Sequence, residues 1–271
     1  MEEAKVLATG LSFPDGTVFD LSGRLWCAEQ TGGGLFCLHT DGQTERIPTG
    51  GRPGGLKLDY EGNIWFCDAG QNAIRRFNPD TRHVETIVDS FDGKPLNYPN
   101  DLVFDRAGNL IFTCPGPLPD LGRISLGQGT VLVLTEDGSV QVVADELHYP
   151  NGLAFIPGSD TLLITETQKQ RIWCGFWDVT TPSWDTITVW ATTGNVANKT
   201  HGPDGLTFGP DGNIYAAIFG MGVVNVFDPD GLLLRAIPVP GQRPISCIFD
   251  PGGQFLIVSE TERGELIQLK I

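Results

Sequence analysis

Six times along this chain a proline heads a short apolar run, and the residue after the proline changes character from copy to copy. That slot holds Asp15, Gly54, Asn100, Asn151, Asp204 and Ile245. Four of the six carry a side-chain oxygen donor, two of these are carboxylates, and none of the six is Lys or Arg. Hard divalent cations take oxygen ligands of this kind, so the slot reads as a Ca2+ or Mg2+ site if the fold brings the copies together. Asp and Asn are also ordinary turn residues beside Pro and Gly. Convergence separates the two readings, because turn chemistry alone does not aim four donors at one place.

The spacing says which elements must do the aiming. Prolines 14, 53, 99, 150, 203 and 244 lie 39, 46, 51, 53 and 41 residues apart, the period of four-stranded propeller blades. No stretch between them sustains a 3.6-residue apolar period, which sets helical solenoids aside. Each Pro-headed strand runs into a Gly-containing turn, such as Ser22-Gly23, Glu61-Gly62-Asn63 or Asp211-Gly212-Asn213, the chemistry of a tight hairpin. Second, third and fourth strands follow, in the first unit over 24–29, 34–38 and 44–47. The sixth unit runs out of chain after its third strand, and Ala4-Lys5-Val6-Leu7-Ala8 has no other partner. That segment therefore supplies the missing strand and closes the ring, removing exposed sheet edges. The expected architecture is an all-β, six-bladed β-propeller with four-stranded blades, a single domain over 1–271. The innermost strands then set the post-proline slot on a ring around the central axis.

Composition agrees with a turn-rich globular protein: 35 Gly and 19 Pro without a collagen period, and 40% hydrophobic residues. A net charge of −15 argues against nucleic acid and anionic membrane surfaces, which need clustered Lys and Arg. The N-terminal residues read as neither a signal peptide nor a membrane span. Cysteines 27, 37, 67, 114, 174 and 247 are scattered in apolar contexts without metal-type spacing, so a reducing cytoplasm is expected.

The motifs Pro150-Asn151-Gly152-Leu153-Ala154-Phe155, Pro203-Asp204-Gly205-Leu206 and Asn100-Asp101-Leu102-Val103-Phe104, with Gly108 to Thr113 after the last, carry a resemblance. The chain resembles the SMP-30/gluconolactonase/luciferin-regenerating-enzyme group over nearly its whole length. The resemblance implies one divalent ion in the central channel, Ca2+ foremost, with Zn2+, Mg2+ and Mn2+ as alternatives. It implies Asn151 and Asp204 as metal ligands and Asn100 at the metal or the substrate. The first-blade ligand of the group is usually Glu in a Glu-Gly-Pro context, where this chain offers the shorter Asp15. After Phe112-Thr113 the group's lactonases often carry Asp-Pro-Pro, where this chain has Cys114-Pro115-Gly116-Pro117-Leu118-Pro119-Asp120, a stretch expected at the pocket mouth.

The resemblance implies hydrolysis of a small cyclic ester, a sugar aldonolactone, by the following parts. The cation polarises the carbonyl, Asp204 acts as general base, and Asn100 and Asn151 fix metal and substrate. No Ser-centred nucleophile elbow is present to support a covalent triad. Tyr98, Tyr149, His201 and Cys114 are candidate substrate-binding residues, with His148 and Arg243 as further pocket candidates. Glu29, Asp68, Glu166 and the six tryptophans read mainly as structural. Two other functions fit the same pattern: an organophosphate or other ester hydrolase, and a propeller that binds a small molecule without turnover. The expected partner is a small-molecule lactone, with the protein a monomer or weak homodimer.

Overall fold

The computed structural model describes residues 4–117, 127–194, 198 and 200–271. An N-terminal strand, β1 (Ala4–Ala8), precedes blade I, made of β2 (Pro14–Phe19), β3 (Leu25–Glu29), β4 (Gly34–Leu38) and β5 (Thr44–Pro48). Blade II holds β6 (Pro53–Leu58), β7 (Ile64–Asp68), β8 (Ala73–Asn78) and β9 (His83–Val88). A short hairpin, β10 (Ser90–Phe91) and β11 (Lys94–Pro95), intervenes before blade III. Blade III comprises β12 (Leu102–Phe104), β13 (Leu110–Cys114), β14 (Gly129–Leu134) and β15 (Val140–Leu147). Blade IV has β16 (Pro150–Phe155), β17 (Thr161–Glu166), β18 (Arg171–Asp178) and β19 (Ser183–Thr192), with a 3-10 turn over Thr167–Lys169. Blade V is β20 (Gly202–Phe208), β21 (Ile214–Phe219), β22 (Val223–Phe227) and β23 (Leu233–Pro238). Blade VI is β24 (Pro244–Phe249), β25 (Phe255–Glu260) and β26 (Glu265–Lys270), completed by β1 in the order β1-β26-β25-β24. Ala4 stands opposite Leu269, so the expected closure by the N-terminal strand is observed. Two features differ from the sequence expectation: the β10–β11 hairpin, and a first strand of blade III that starts at Leu102 rather than at Pro99.

One aspartate makes the first turn of several blades. Asp20, at the end of β2, accepts Ser22 N and Arg24 N on Oδ1 and the Trp26 indole on Oδ2 at 2.7 Å. Asp59 repeats this with Glu61, Asn63 and Trp65, and Asp105 with Ala107 and Asn109, while taking the Trp177 indole from blade IV at 2.9 Å. Such self-capping turns favour the hairpin register over alternatives. A second recurrent carboxylate ties down the loop ahead of four of the six prolines. Glu29 accepts Ser12 N, Asp68 accepts Arg52 N, Glu166 accepts His148 N and Glu260 accepts Arg243 N, at 2.7–2.9 Å. Arg46, Arg75 and Arg171 pair with the first three of these acids. Burying the acids without such partners is costly.

The cores lie between blades. Separate apolar clusters fill the wedges I/II, II/III, III/IV, IV/V, V/VI and VI/I. Edge-on aromatic pairs cross several of them, with Trp26 on Phe77 at 5.3 Å, Trp65 on Phe104 at 5.4 Å and Tyr215 on Phe249 at 4.9 Å. At the axis the inner strands pack main chain on main chain. A methyl on Gly152 would lie 2.4 Å from the Asp204 carbonyl oxygen, and one on Gly16 would lie 2.6 Å from Gly55 Cα. Gly152→Ala is therefore expected to destabilise the protein by about 1–3 kcal/mol through overpacking. A urea unfolding midpoint equal to that of the wild type would contradict this.

Candidate metal centre

The post-proline residues are aimed by a defect in the sheet. Pairing of the first and second strands slips by one residue right after the proline, between Pro14 and Thr17, Pro53 and Leu56, Pro150 and Leu153, Pro203 and Leu206, and Pro244 and Ser246. A bulge leaves one residue unpaired and re-aims its side chain. Here the freed residue is the slot residue. The chain enters the first strands of blades I, III and IV through left-handed backbone, because Phe13, Tyr98 and Tyr149 adopt φ of 58°, 58° and 63°. Such conformations cluster at functional sites.

Asp15, Asn100, Asn151, Asp204 and Ile245 line one cavity of about 10 Å³, together with Gly16, Gly55, Asp101, Gly205 and Ser246. That volume suits a single water or a single ion. Asp15, Asn151 and Asp204 are buried. Gln30 Nε2 donates to Asp15 Oδ2 at 3.0 Å, and the Asn151 carboxamide donates to the Asp204 carboxylate. Gly54, the second-blade slot residue, adds no side chain.

Threonines of two second strands and of the 3-10 turn after β17 brace this ring. Thr113 Oγ1 donates to the Asn151 carbonyl at 2.9 Å, Thr165 Oγ1 to the Asp204 carbonyl at 2.9 Å, and Thr167 Oγ1 to the Pro203 carbonyl at 2.8 Å. Each crosses from one blade to the next, so the slot residues are held by neighbours and not only by their own strand. Sequence reasoning passed over these threonines. Their signal is a hydroxyl near the end of an otherwise apolar second strand, as in Leu110-Ile111-Phe112-Thr113 and Leu162-Leu163-Ile164-Thr165.

Asp101 was also missed. Its place in the repeat is held by Gly16, Gly55, Gly152, Gly205 and Ser246 in the other blades. A methyl on Gly55 would fall 2.0 Å from Asp101 Oδ1, so the glycine makes room for the carboxylate. Three buried acids therefore share the cavity. Burial, then the charge of Asp101, pushes the Asp15 carboxyl up to about 7. Burial, then Asp15 and Asp101, raises Asp204 well above the usual carboxylate range. Burial also raises Asp101, against the opposing pull of Lys57. Lys57 lines a second cavity of about 40 Å³ further along the channel, with Thr17, Asp101, Thr207 and Ser246.

No basic residue lines the upper cavity. Three repelling carboxylates and two carboxamides, all oxygen donors around a space for one ion, fit a hard divalent cation, which would remove the cost of their ionisation. A second grouping, Cys37, His39 and Glu45, brings its ligand atoms within 4.8 Å of one another on the outer strands of blade I. There Glu45 is already engaged by Arg82 at 2.7 Å and by His39 at 3.1 Å.

The remaining candidates divide. Burial, then the charges of Asp204 and Asp15, raises the Tyr149 hydroxyl, and neither Tyr149 nor Tyr98 lines the cavity itself. His201 is half-buried, bonded through Nε2 to Asn198 at 2.9 Å and set against Phe219, outside the cavity lining. Cys114 is fully buried in the wedge between blades II and III with Leu102 and Phe112, and its thiol is pushed up to about 12 by burial. Its alternation along β13 turns it into the core, away from the cavity. Leu118, Pro119 and Asp120, expected at the mouth, lie outside the described residues.

The sequence model of the SMP-30/Gluconolactonase/LRE-like region matches residues 74–259. A gluconolactonase from Zymomonas mobilis is 29% identical, across 98% of this chain and 81% of the relative. Diisopropyl-fluorophosphatase from Loligo vulgaris is 28% identical across 79% of this chain and 70% of its own length. Among solved structures, a gluconolactonase from Xanthomonas campestris superposes with a TM-score of 0.84 at 27% identity, covering 99% of this chain and 89% of that one.

Proposed function

Because the chain belongs to the SMP-30/gluconolactonase/LRE-like family, we propose that it is a metal-dependent hydrolase that opens a small cyclic ester, a sugar aldonolactone. The observation that carries this reading is the meeting of Asp15, Asn100, Asn151 and Asp204 in one cavity with no basic residue in its lining. Those four hold the metal, and their all-oxygen character favours Ca2+ over softer-ligand ions. A bound cation supplies Lewis-acid polarisation of the lactone carbonyl. Asp204 takes a proton from the attacking water and returns it to the ring oxygen as the carbonyl-to-ring bond breaks. The Asn100 and Asn151 amides orient the ester, and Tyr98 and Tyr149 cover it from the mouth. Six free cysteines are in keeping with a reducing compartment, the cytoplasm.

The test is hydrolysis of a panel of aldonolactones by protein treated with EDTA and then reloaded with Ca2+. Activity is expected to fall below a tenth on metal removal and to return on reloading. Full activity after EDTA would remove the metal from the mechanism. The likeness to diisopropyl-fluorophosphatase gives a second reading, phosphotriester hydrolysis on the same donors. Turnover of a fluorophosphate but of no lactone would select it.

A further inference from the structure

Arg52 precedes the first-strand proline of blade II, where the slot residue is Gly54 and offers no side chain of its own. Its Nη2 donates to Gln30 Oε1 at 2.7 Å, and Gln30 in turn donates to Asp15 at 3.0 Å. The guanidinium therefore stands one side chain from a cavity carboxylate. Its charge is felt by Asp15 in blade I and by Tyr149 in blade IV.

This cation differs from the other arginines at the same end of the propeller. Arg46, Arg75 and Arg171 each grip a carboxylate at the end of a second strand. Among the described residues no carboxylate pairs with Arg52. Its Nε, like that of Arg75, is buried without a hydrogen-bond partner, but Arg75 has its carboxylate in Asp68. A half-buried guanidinium with no carboxylate to offset its charge carries a desolvation cost that an anionic ligand can relieve. Planar oxyanions match its donor fork best. A chain of net charge −15 repels anions at long range, so an anionic ligand needs a local cation of this kind.

Building on the lactonase reading, we propose that Arg52 selects the substrate, and that the lactone opened here bears an anionic group, a carboxylate or a phosphate, which pairs with the Arg52 guanidinium while the ester lies against Asp204.

The experiment uses Ca2+-loaded protein and pairs of lactones that differ only in one substituent, a neutral hydroxymethyl against a carboxylate or a phosphate ester. Wild type is expected to prefer an anionic member, and the carboxylate and phosphate arms identify which. In Arg52→Gln the ratio of kcat/KM for the anionic over the neutral lactone should fall about 30-fold, in line with a charge-assisted hydrogen bond. The loss should lie in KM, and Arg52→Lys should recover part of it. No preference in wild type, or an unchanged ratio in Arg52→Gln, overturns the proposal. If no lactone is turned over, the hydrolase reading fails on its own. Calorimetry with the matching cyclic ethers, which keep ring and substituent but lack the ester, then still decides. Binding of the anionic ether at least tenfold tighter to wild type than to Arg52→Gln upholds the role of Arg52, and equal binding removes it.

Discussion

Asp204→Asn is expected to lower kcat/KM toward aldonolactones by about 10³-fold, measured at saturating Ca2+, while the protein stays folded. The carboxamide keeps the volume and the oxygen donor but cannot take a proton, and general-base catalysis is worth about 10²–10⁴-fold. Folding should be spared for two reasons. Thr165 holds residue 204 through its backbone carbonyl, which the substitution does not touch. The wild-type carboxylate is itself opposed by burial and by the charges of Asp15 and Asp101, so neutralising it relieves repulsion. Saturating Ca2+ separates loss of the base from weakened metal binding. A variant within tenfold of wild type would assign the proton transfer elsewhere, and Asp15 and Asp101, which share the cavity, are the other carboxylates there.

Without metal, the protein should lose thermal stability as pH rises from about 4 to about 7, the reverse of ordinary acid denaturation. Asp15 titrates at about 7 in the fold against 3.8 in a model compound, chiefly through burial and then through Asp101. A folded pKa above the unfolded one means that the native state binds the proton more tightly between those values. Stability is then fully present below about 4 and declines until about 7. For this buried group the difference amounts to about 4 kcal/mol at 1.36 kcal/mol per pH unit. That corresponds to a fall of about 10 °C in Tm for a domain of this size. The raised Asp204 and Asp101 act in the same direction. With Ca2+ bound the carboxylates ionise against the cation, so the gap in Tm between Ca2+ and EDTA should widen from pH 5 to pH 8. Asp15→Asn should flatten the EDTA curve. A Tm in EDTA that climbs over this range would refute the account.

The blades were legible because each is written in the same local grammar: Pro, slot residue, apolar run, Gly-containing turn, with an Asp before the turn in four of them. The slot residues were legible for the same reason, since equal phase in a closed ring means proximity. What escaped was whatever broke the repeat or depended on neighbours. Asp101 occupies a phase that is glycine in four blades, and a reading fixed on the post-proline residue skips the next one. The β10–β11 hairpin belongs to no repeat. Cys114 was misjudged because proximity in sequence to a mouth-forming stretch says nothing of side-chain direction, which the alternation of β13 decides. The threonine braces and the Arg52–Gln30–Asp15 chain join residues of different blades, and no local pattern marks such pairs.

The close packing of the inner strands has a consequence for ion choice. Gly55 N donates to the Asn100 carbonyl at 2.7 Å, and Gly16, Gly152 and Gly205 leave no room between adjoining backbones. The opening is thus a gauge cut in peptide groups, and side-chain rotation does not reset its bore. Mg2+ demands six contacts at about 2.0–2.1 Å, whereas Ca2+ accepts about 2.3–2.6 Å in irregular arrangements. If the site takes Ca2+ as proposed, a frame that cannot contract would leave Mg2+ partly hydrated while Ca2+ seats, and the glycines would then set ion choice along with the acids.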